Sequence, residues 1–183
     1  MISHKLSYAF QRDTKGLVGV DSQVKELMSL LAIGLNDVRI IGVWEMGGIG
    51  KTTLAKVVYW KVFSEFEGGC FITNIREVYD KCGLLPLQQK LICDILMDEN
   101  VNIRDIDNGV LMIKNRLCHK MILLVLDDVN QLKQLEKLAR EPNWFGQGSK
   151  VIITTIEEHL LIRHKSIQTV RKVSWGAKLV WSR

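Results

Sequence analysis

Only four cysteines occur in the chain, Cys70, Cys82, Cys93 and Cys118, with no Cys-x-x-Cys pair and no histidine at zinc-ligand spacing. Neither a metal site nor a disulfide framework is indicated, and a reducing setting is expected. No apolar run approaches the roughly 20 residues that span a bilayer. Residues 1–15 alternate polar and apolar side chains without the continuous apolar stretch of a signal peptide. The expectation is a soluble, intracellular chain, cytoplasmic with the nucleus as an alternative. Aromatic residues make up only 7% of the chain, and Trp44 and Phe145 are not interleaved with basic residues as a base-stacking platform requires, so both read as packing residues. Acidic residues are missing altogether from 163–183. That segment carries Arg163, Lys165, Arg171, Lys172, Lys178 and Arg183, a net +6, which leaves residues 1–162 at −1 within a total of +5. The basicity therefore belongs to the tail, which reads as solvated; neither nucleic acid nor a membrane is an expected partner. Internal repeats and low-complexity stretches are absent. His4, His119, His159 and His164 lack a nucleophile partner, so no hydrolytic triad is visible.

What is present is a substantial core: 47% of the 183 residues are hydrophobic, enough for one domain or a large piece of one. Leu17 to Asp21 reads as a short extended entrance. From Ser22, the positions Val24, Leu27, Met28, Leu31 and Ala32 repeat at helical spacing as far as Gly34. A strand is predicted at 38–44, then a helix from Lys51 to Phe66 with Leu54, Ala55, Val58, Val62 and Phe66 inward, broken by Gly68-Gly69. Cys70 to Asn74 reads as a second strand. Pro86 sits well in the first turn of a helix burying Leu87, Leu91, Ile92, Ile95 and Leu96. Asp107 is a candidate cap for a helix reaching Leu117, and Asn130 for a helix with Leu132, Leu135 and Leu138 inward, ending at Glu141-Pro142. Met121 to Leu126 is an unbroken apolar run, which signifies a strand covered on both faces, and Val151-Ile152-Ile153 supplies another. Strands and helices alternate throughout, so the predicted class is α/β, a doubly wound, mostly parallel sheet flanked by helices, with ligands at the carboxyl ends of the strands.

The residues Met46-Gly47-Gly48-Ile49-Gly50-Lys51-Thr52-Thr53 lie between the first of these strands and its helix. A glycine turn opening a helix on Lys-Thr forms a phosphate cradle: backbone N–H groups converge on anionic oxygens, and the helix N-terminus adds partial positive charge. Lys51 would reach the terminal phosphates, and the Thr52 hydroxyl would ligate Mg²⁺. Glu45 stands where the template G-x-x-x-x-G-K-[ST] has glycine. It would cost about 1–2 kcal/mol if the turn required a left-handed residue there, and an inward carboxylate would repel phosphate by a few kcal/mol at an effective dielectric of about 20. Both together would weaken binding by roughly two orders of magnitude.

Asp127 and Asp128 end the apolar run 121–126. Paired acids at a strand tip suit Mg²⁺, a hard cation that takes oxygen ligands and retains waters. Asp127 would face the metal held by Thr52, and Asp128 would orient a water or act as a base. The plainer alternative is that both acids merely end the strand. Thr154 and Thr155 close a further strand near the same crevice, either as sensors of a γ-phosphate or as ordinary strand ends.

Together these segments resemble, in order, the NB-ARC domain of plant disease-resistance proteins of the TIR-NBS-LRR class, a P-loop NTPase-like domain. Gly16-Leu17-Val18-Gly19 resembles the leading loop and Val43 to Thr53 the P-loop. Cys70 to Val78 resembles the segment around the second strand. Leu124 to Asn130 resembles Walker B, with Asn130 in the TIR-class position, and Gly148 to Thr155 resembles the sensor strand. The resemblance implies a switch that rests with ADP, exchanges it for ATP and transmits the change to attached signalling and repeat domains. It places Val18 against the adenine, Gly47, Gly48, Ile49, Gly50, Lys51, Thr52 and Thr53 around the phosphates, Thr154 and Thr155 nearby, and Thr52 with Asp127 on Mg²⁺. It also implies that strand 149–155 lies between the P-loop and Walker B strands. Expected divisions are a linker remnant at 1–15, the nucleotide-binding subdomain at 16–175 and an unstructured basic tail at 176–183.

Two departures qualify the expectation: Glu45, and Ile156 where the family has an arginine after the threonines. In other NTPases, loss of such a cation costs several powers of ten in phosphoryl transfer. The chain also stops short of the family's helical subdomains, so a truncated, partly degenerate member is expected. The leading reading is an ADP/ATP-binding module with little or no hydrolysis, at most a weak NTPase. The alternative is a nucleotide-free interaction fragment that associates with full-length resistance proteins.

Overall fold

The computed structural model describes residues 20–45 and 50–172. Five strands, β1 (Arg39–Trp44), β2 (Gly68–Ile72), β3 (Ile122–Leu126), β4 (Lys150–Thr155) and β5 (Thr169–Lys172), form one sheet in the order β2-β3-β4-β1-β5. Every pairing is parallel. A helix α1 (Val20–Leu31) precedes the sheet, and parallel neighbours need crossovers, which helices supply: α2 (Lys51–Val62), α3 (Ile75–Cys82), α4 (Leu85–Leu96), α5 (Ile106–Leu117), α6 (Leu132–Leu138) and α7 (Glu158–Arg163). β4 inserts between β1 and β3, as the resemblance implies.

The unbroken apolar strands divide their side chains between two cores. Ile122, Leu124, Leu126, Ile40 and Ile153 join Leu91, Ile92, Ile113 and Leu135 on one face. Leu123, Val125, Ile41, Val43 and Ile152 join Leu27, Leu31, Leu54 and Val58 on the other. A strand buried on both sides has no use for a polar alternation, which is why β3 reads as a continuous run.

Several expected boundaries move. Val20 is already helical, so the extended entrance does not reach Asp21. The helix from Lys51 ends at Val62 and passes through a short 3-10 turn, Phe63–Glu65. β2 starts at Gly68, not Cys70, and the two glycines belong to it because a Cβ there would lie 2.7 Å from the Ile95 carbonyl or 2.9 Å from that of Leu123. Asp105, not Asp107, caps α5, its carboxylate accepting from the Asn108 N–H at 2.8 Å. Gln131 rather than Asn130 caps α6, in a reciprocal box with Gln134. Three elements were not anticipated: α3, α7 and β5.

Lys150 is a buried cation at the start of β4, and its three donors are all engaged: Leu35 O at 3.2 Å, Asp37 O at 2.6 Å and Asp37 Oδ1 at 3.2 Å. It ties the turn between α1 and β1 to the sheet. Arg39 also bonds Asp37, and this contact more than any other holds the Asp37 carboxyl below its usual pKa.

Candidate nucleotide site

The site forms where β1, β3 and β4 end side by side. β1 hands the chain to Glu45 after Trp44, whose ring carries Lys172 Nζ 5.0 Å from its centroid. Gly50 leads into α2 with φ 116°, a left-handed conformation that favours glycine. Lys51 follows at the first position of α2 and is 7% exposed. Its Nζ donates to Glu45 O at 2.9 Å. Burial pushes the Lys51 pKa down, and the charges of Glu45, then Asp128, then Asp127 partly restore it.

Asp127 is buried and carries two charge-assisted bonds on one oxygen. Thr52 Oγ1 donates to Oδ1 at 2.8 Å and Thr154 Oγ1 donates to the same atom at 2.7 Å. Asp127 Oδ2 is buried with no partner. The P-loop helix, β3 and β4 therefore converge on one carboxylate.

Asp128 is arranged differently. Its φ is 60°, a strained value for a residue with a Cβ, and Asn74 opposite it has φ 53°. Paired backbone contacts hold both: Ile75 N donates to Asp127 O at 3.0 Å, Arg76 N donates to Asp128 O at 3.2 Å, and Thr154 Oγ1 accepts from Asp128 N at 3.0 Å. The result points the Asp128 carboxylate at Arg76, whose Nε and Nη2 donate to its oxygens at 2.9–3.1 Å.

The structure thus gathers Gly50, Lys51, Thr52, Asp127, Asp128 and Thr154 at the carboxyl end of the sheet. Thr53 is half-buried one residue further along α2. Thr155 is adjacent in sequence but alternates away: its hydroxyl donates to Val129 O at 2.6 Å and accepts from Glu157 N at 2.9 Å, and no contact joins it to Asp127. Val18, Gly47, Gly48 and Ile49 lie outside the described residues. Ile156, 37% exposed, brings no charge. Among the histidines, His159 pairs with Glu157 at 3.1 Å, while His164 is buried beside a cavity of about 350 Å³ that shares none of the residues above.

Sequence reasoning missed Arg76 as the partner of Asp128. Arg76 lies 52 residues from Asp128, and no spacing rule connects them. Glu45 had two open consequences, and one drops out: it is not among the residues of positive φ, so no left-handed strain applies. The other stands. Its Oε2 is buried without a partner, and no other carboxylate acts as strongly on Lys51.

A five-stranded parallel sheet of this order, with Gly50 leading into Lys51-Thr52 and a buried aspartate at adjoining strand ends, defines a P-loop NTPase-like domain. Solved structures carry the same fold. The Cdc6p structure of Pyrobaculum aerophilum matches with a TM-score of 0.53 at 15% identity, covering 87% of this chain and 46% of that one. The Aeropyrum pernix ORC2 protein matches at 0.50 and 16%.

Within that class, residues 20–175 match the NB-ARC domain family, and the chain belongs to it. Its relatives are plant disease-resistance proteins of the TIR-NBS-LRR class. Disease resistance protein RUN1 of Vitis rotundifolia is 48% identical over 79% of this chain, and TMV resistance protein N of Nicotiana glutinosa is 36% identical over 97%. The chain spans 11% and 17% of the length of these two proteins.

Proposed function

We propose that this chain is the ADP/ATP-binding switch module of a plant defence protein, holding nucleotide through the P-loop and Walker B residues with little or no hydrolysis. The observation that carries the reading is the convergence of Thr52 and Thr154 on Asp127 beside the buried Lys51. Backbone N–H groups at the start of α2 and the Lys51 ammonium would hold the phosphates.

Mg²⁺ fits the donor set. Asp127 Oδ2 is buried and unpartnered, and the Thr52 hydroxyl stands beside the other carboxylate oxygen, both hard ligands. Bound there, the metal would neutralise phosphate charge. Thr154 would steady Asp127 and report on its occupancy to β4. Asp128, the candidate base, has both carboxylate oxygens engaged by the Arg76 guanidinium, which occupies the lone pairs that a base would offer to a water and supports slow turnover. Arg76→Gln should raise single-turnover phosphate release several-fold; an unchanged rate would show that Arg76 does not restrain Asp128.

Calorimetry with Mg-ADP on the wild type and Lys51→Ala tests the central claim. Lys51→Ala should weaken affinity by about a hundredfold, or about 2.7 kcal/mol. Indistinguishable titrations would refute it. The inward Glu45 favours a second reading, a nucleotide-free fragment that binds full-length resistance proteins; association that survives Lys51→Ala would support it. Among the described residues no helix is long and apolar enough to cross a membrane. A cytoplasmic setting, with the nucleus as alternative, is part of this proposal.

A further inference from the structure

Glu45 is the one acid that the P-loop template does not contain, and it is turned inward. Among the described residues, Glu45, Asp128 and Asp127 act on Lys51, Arg76 is bound to Asp128, and Lys172 lies 5.0 Å from the Trp44 ring, one residue before Glu45. Residues 46–49, Met-Gly-Gly-Ile, add no side-chain charge. Arg76 is committed to Asp128 on both carboxylate oxygens. Lys51 Nζ is held against the Glu45 carbonyl at 2.9 Å, and Oε2 of the same residue is buried without a partner.

We infer that Glu45 is a selectivity residue: its carboxylate, one oxygen of which is buried and unpartnered, makes the cradle discriminate against the triphosphate in favour of the diphosphate nucleotide. The inference rests on the nucleotide-binding reading above. A fixed carboxylate repels a ligand in proportion to the ligand's charge, and repulsion persists where water is excluded. The γ-phosphate adds negative charge within reach of the Lys51 tip, where Glu45 already acts. The diphosphate lacks that additional charge. Ile156, at the end of β4, offers no compensating cation. Discrimination in this direction is an instance of specificity built from a repulsive element rather than from a new contact.

The test titrates Mg-ADP and Mg-ATPγS into the full chain as wild type and as Glu45→Gln, which keeps the volume and removes the charge. The expected result is an affinity gain of about tenfold for ATPγS and about threefold or less for ADP. Equal gains for the two nucleotides, or no gain for either while both still bind, would overturn the inference and leave the nucleotide-binding reading intact. Failure of wild type and Glu45→Gln alike to bind either nucleotide would overturn both.

Discussion

Asp127→Asn should abolish the magnesium dependence of nucleotide binding while leaving the apo fold as stable as before. Wild-type affinity for ADP should fall by about a hundredfold when Mg²⁺ is chelated, a loss of about 2.7 kcal/mol. The variant should bind equally weakly with and without the metal. The two effects separate because the carboxylate has two oxygens in different circumstances. Oδ1 accepts from Thr52 and Thr154, and an amide oxygen can continue to accept from both hydroxyls. Oδ2 has no partner, so its replacement by an amide nitrogen breaks no bond but removes the buried negative charge that a divalent cation requires. Removing a charge from so buried a position offsets the weaker neutral hydrogen bonds, and apo stability should stay within about 1 kcal/mol. Thermal denaturation of the apo protein and calorimetry with and without chelator check the two halves. A variant that melts early would show that the buried charge supports the apo fold, and one whose affinity still responds fully to Mg²⁺ would remove Asp127 from the metal site.

The second large effect concerns architecture. Lys150→Met should destabilise the chain by about 3 kcal/mol. That is near the lower end of the cost of breaking a buried ion pair, because Asp37 is half-exposed and keeps both water and Arg39. For a domain of this size the melting temperature should drop by about 6–12 °C. Methionine matches the length of the lysine stem but donates nothing to Leu35 O, Asp37 O or Asp37 Oδ1. Since these contacts sit at the amino ends of β1 and β4, opposite the cradle, nucleotide affinity at low temperature should be unaffected. A melting point within 1–2 °C of wild type would mean that water replaces the lysine at about 1 kcal/mol or less.

These two residues differ in how openly the sequence announces them. Asp127 stands at the end of six apolar residues and follows a Gly-Lys-Thr turn in the same chain, so strand, turn and acid were legible together. Lys150 looks like any surface lysine flanking a strand, and its burial depends on a turn more than a hundred residues earlier. The same contrast runs through the fold. β1, β3 and β4 were evident because burial on both faces demands continuous apolar sequence. β5 has only Thr169 to Lys172, four residues paired with β1, and a half-polar stretch so short carries no period. α3 was missed because eight residues, mostly polar and exposed, bury only Ile75. The caps at Asp105 and Gln131 each lay within two residues of another plausible side chain, and backbone direction rather than residue type decides between such neighbours. Within the site, pattern located the Lys51, Thr52 and Asp127 trio. It could not separate Thr154 from Thr155, whose hydroxyls diverge because consecutive strand residues face opposite sides.

The bond from Thr52 to Asp127 fixes more than a distance. An ionised carboxylate can only accept, so the hydroxyl hydrogen belongs to Thr52 and is directed at Oδ1, leaving the lone pairs of Oγ1 turned toward any arriving cation. Thr154 pins that same oxygen from the neighbouring strand. On the proposed reading Thr52 and Asp127 would be preorganised as ligands: with their rotamers fixed by these bonds, capture of a cation would require desolvation but no conformational search.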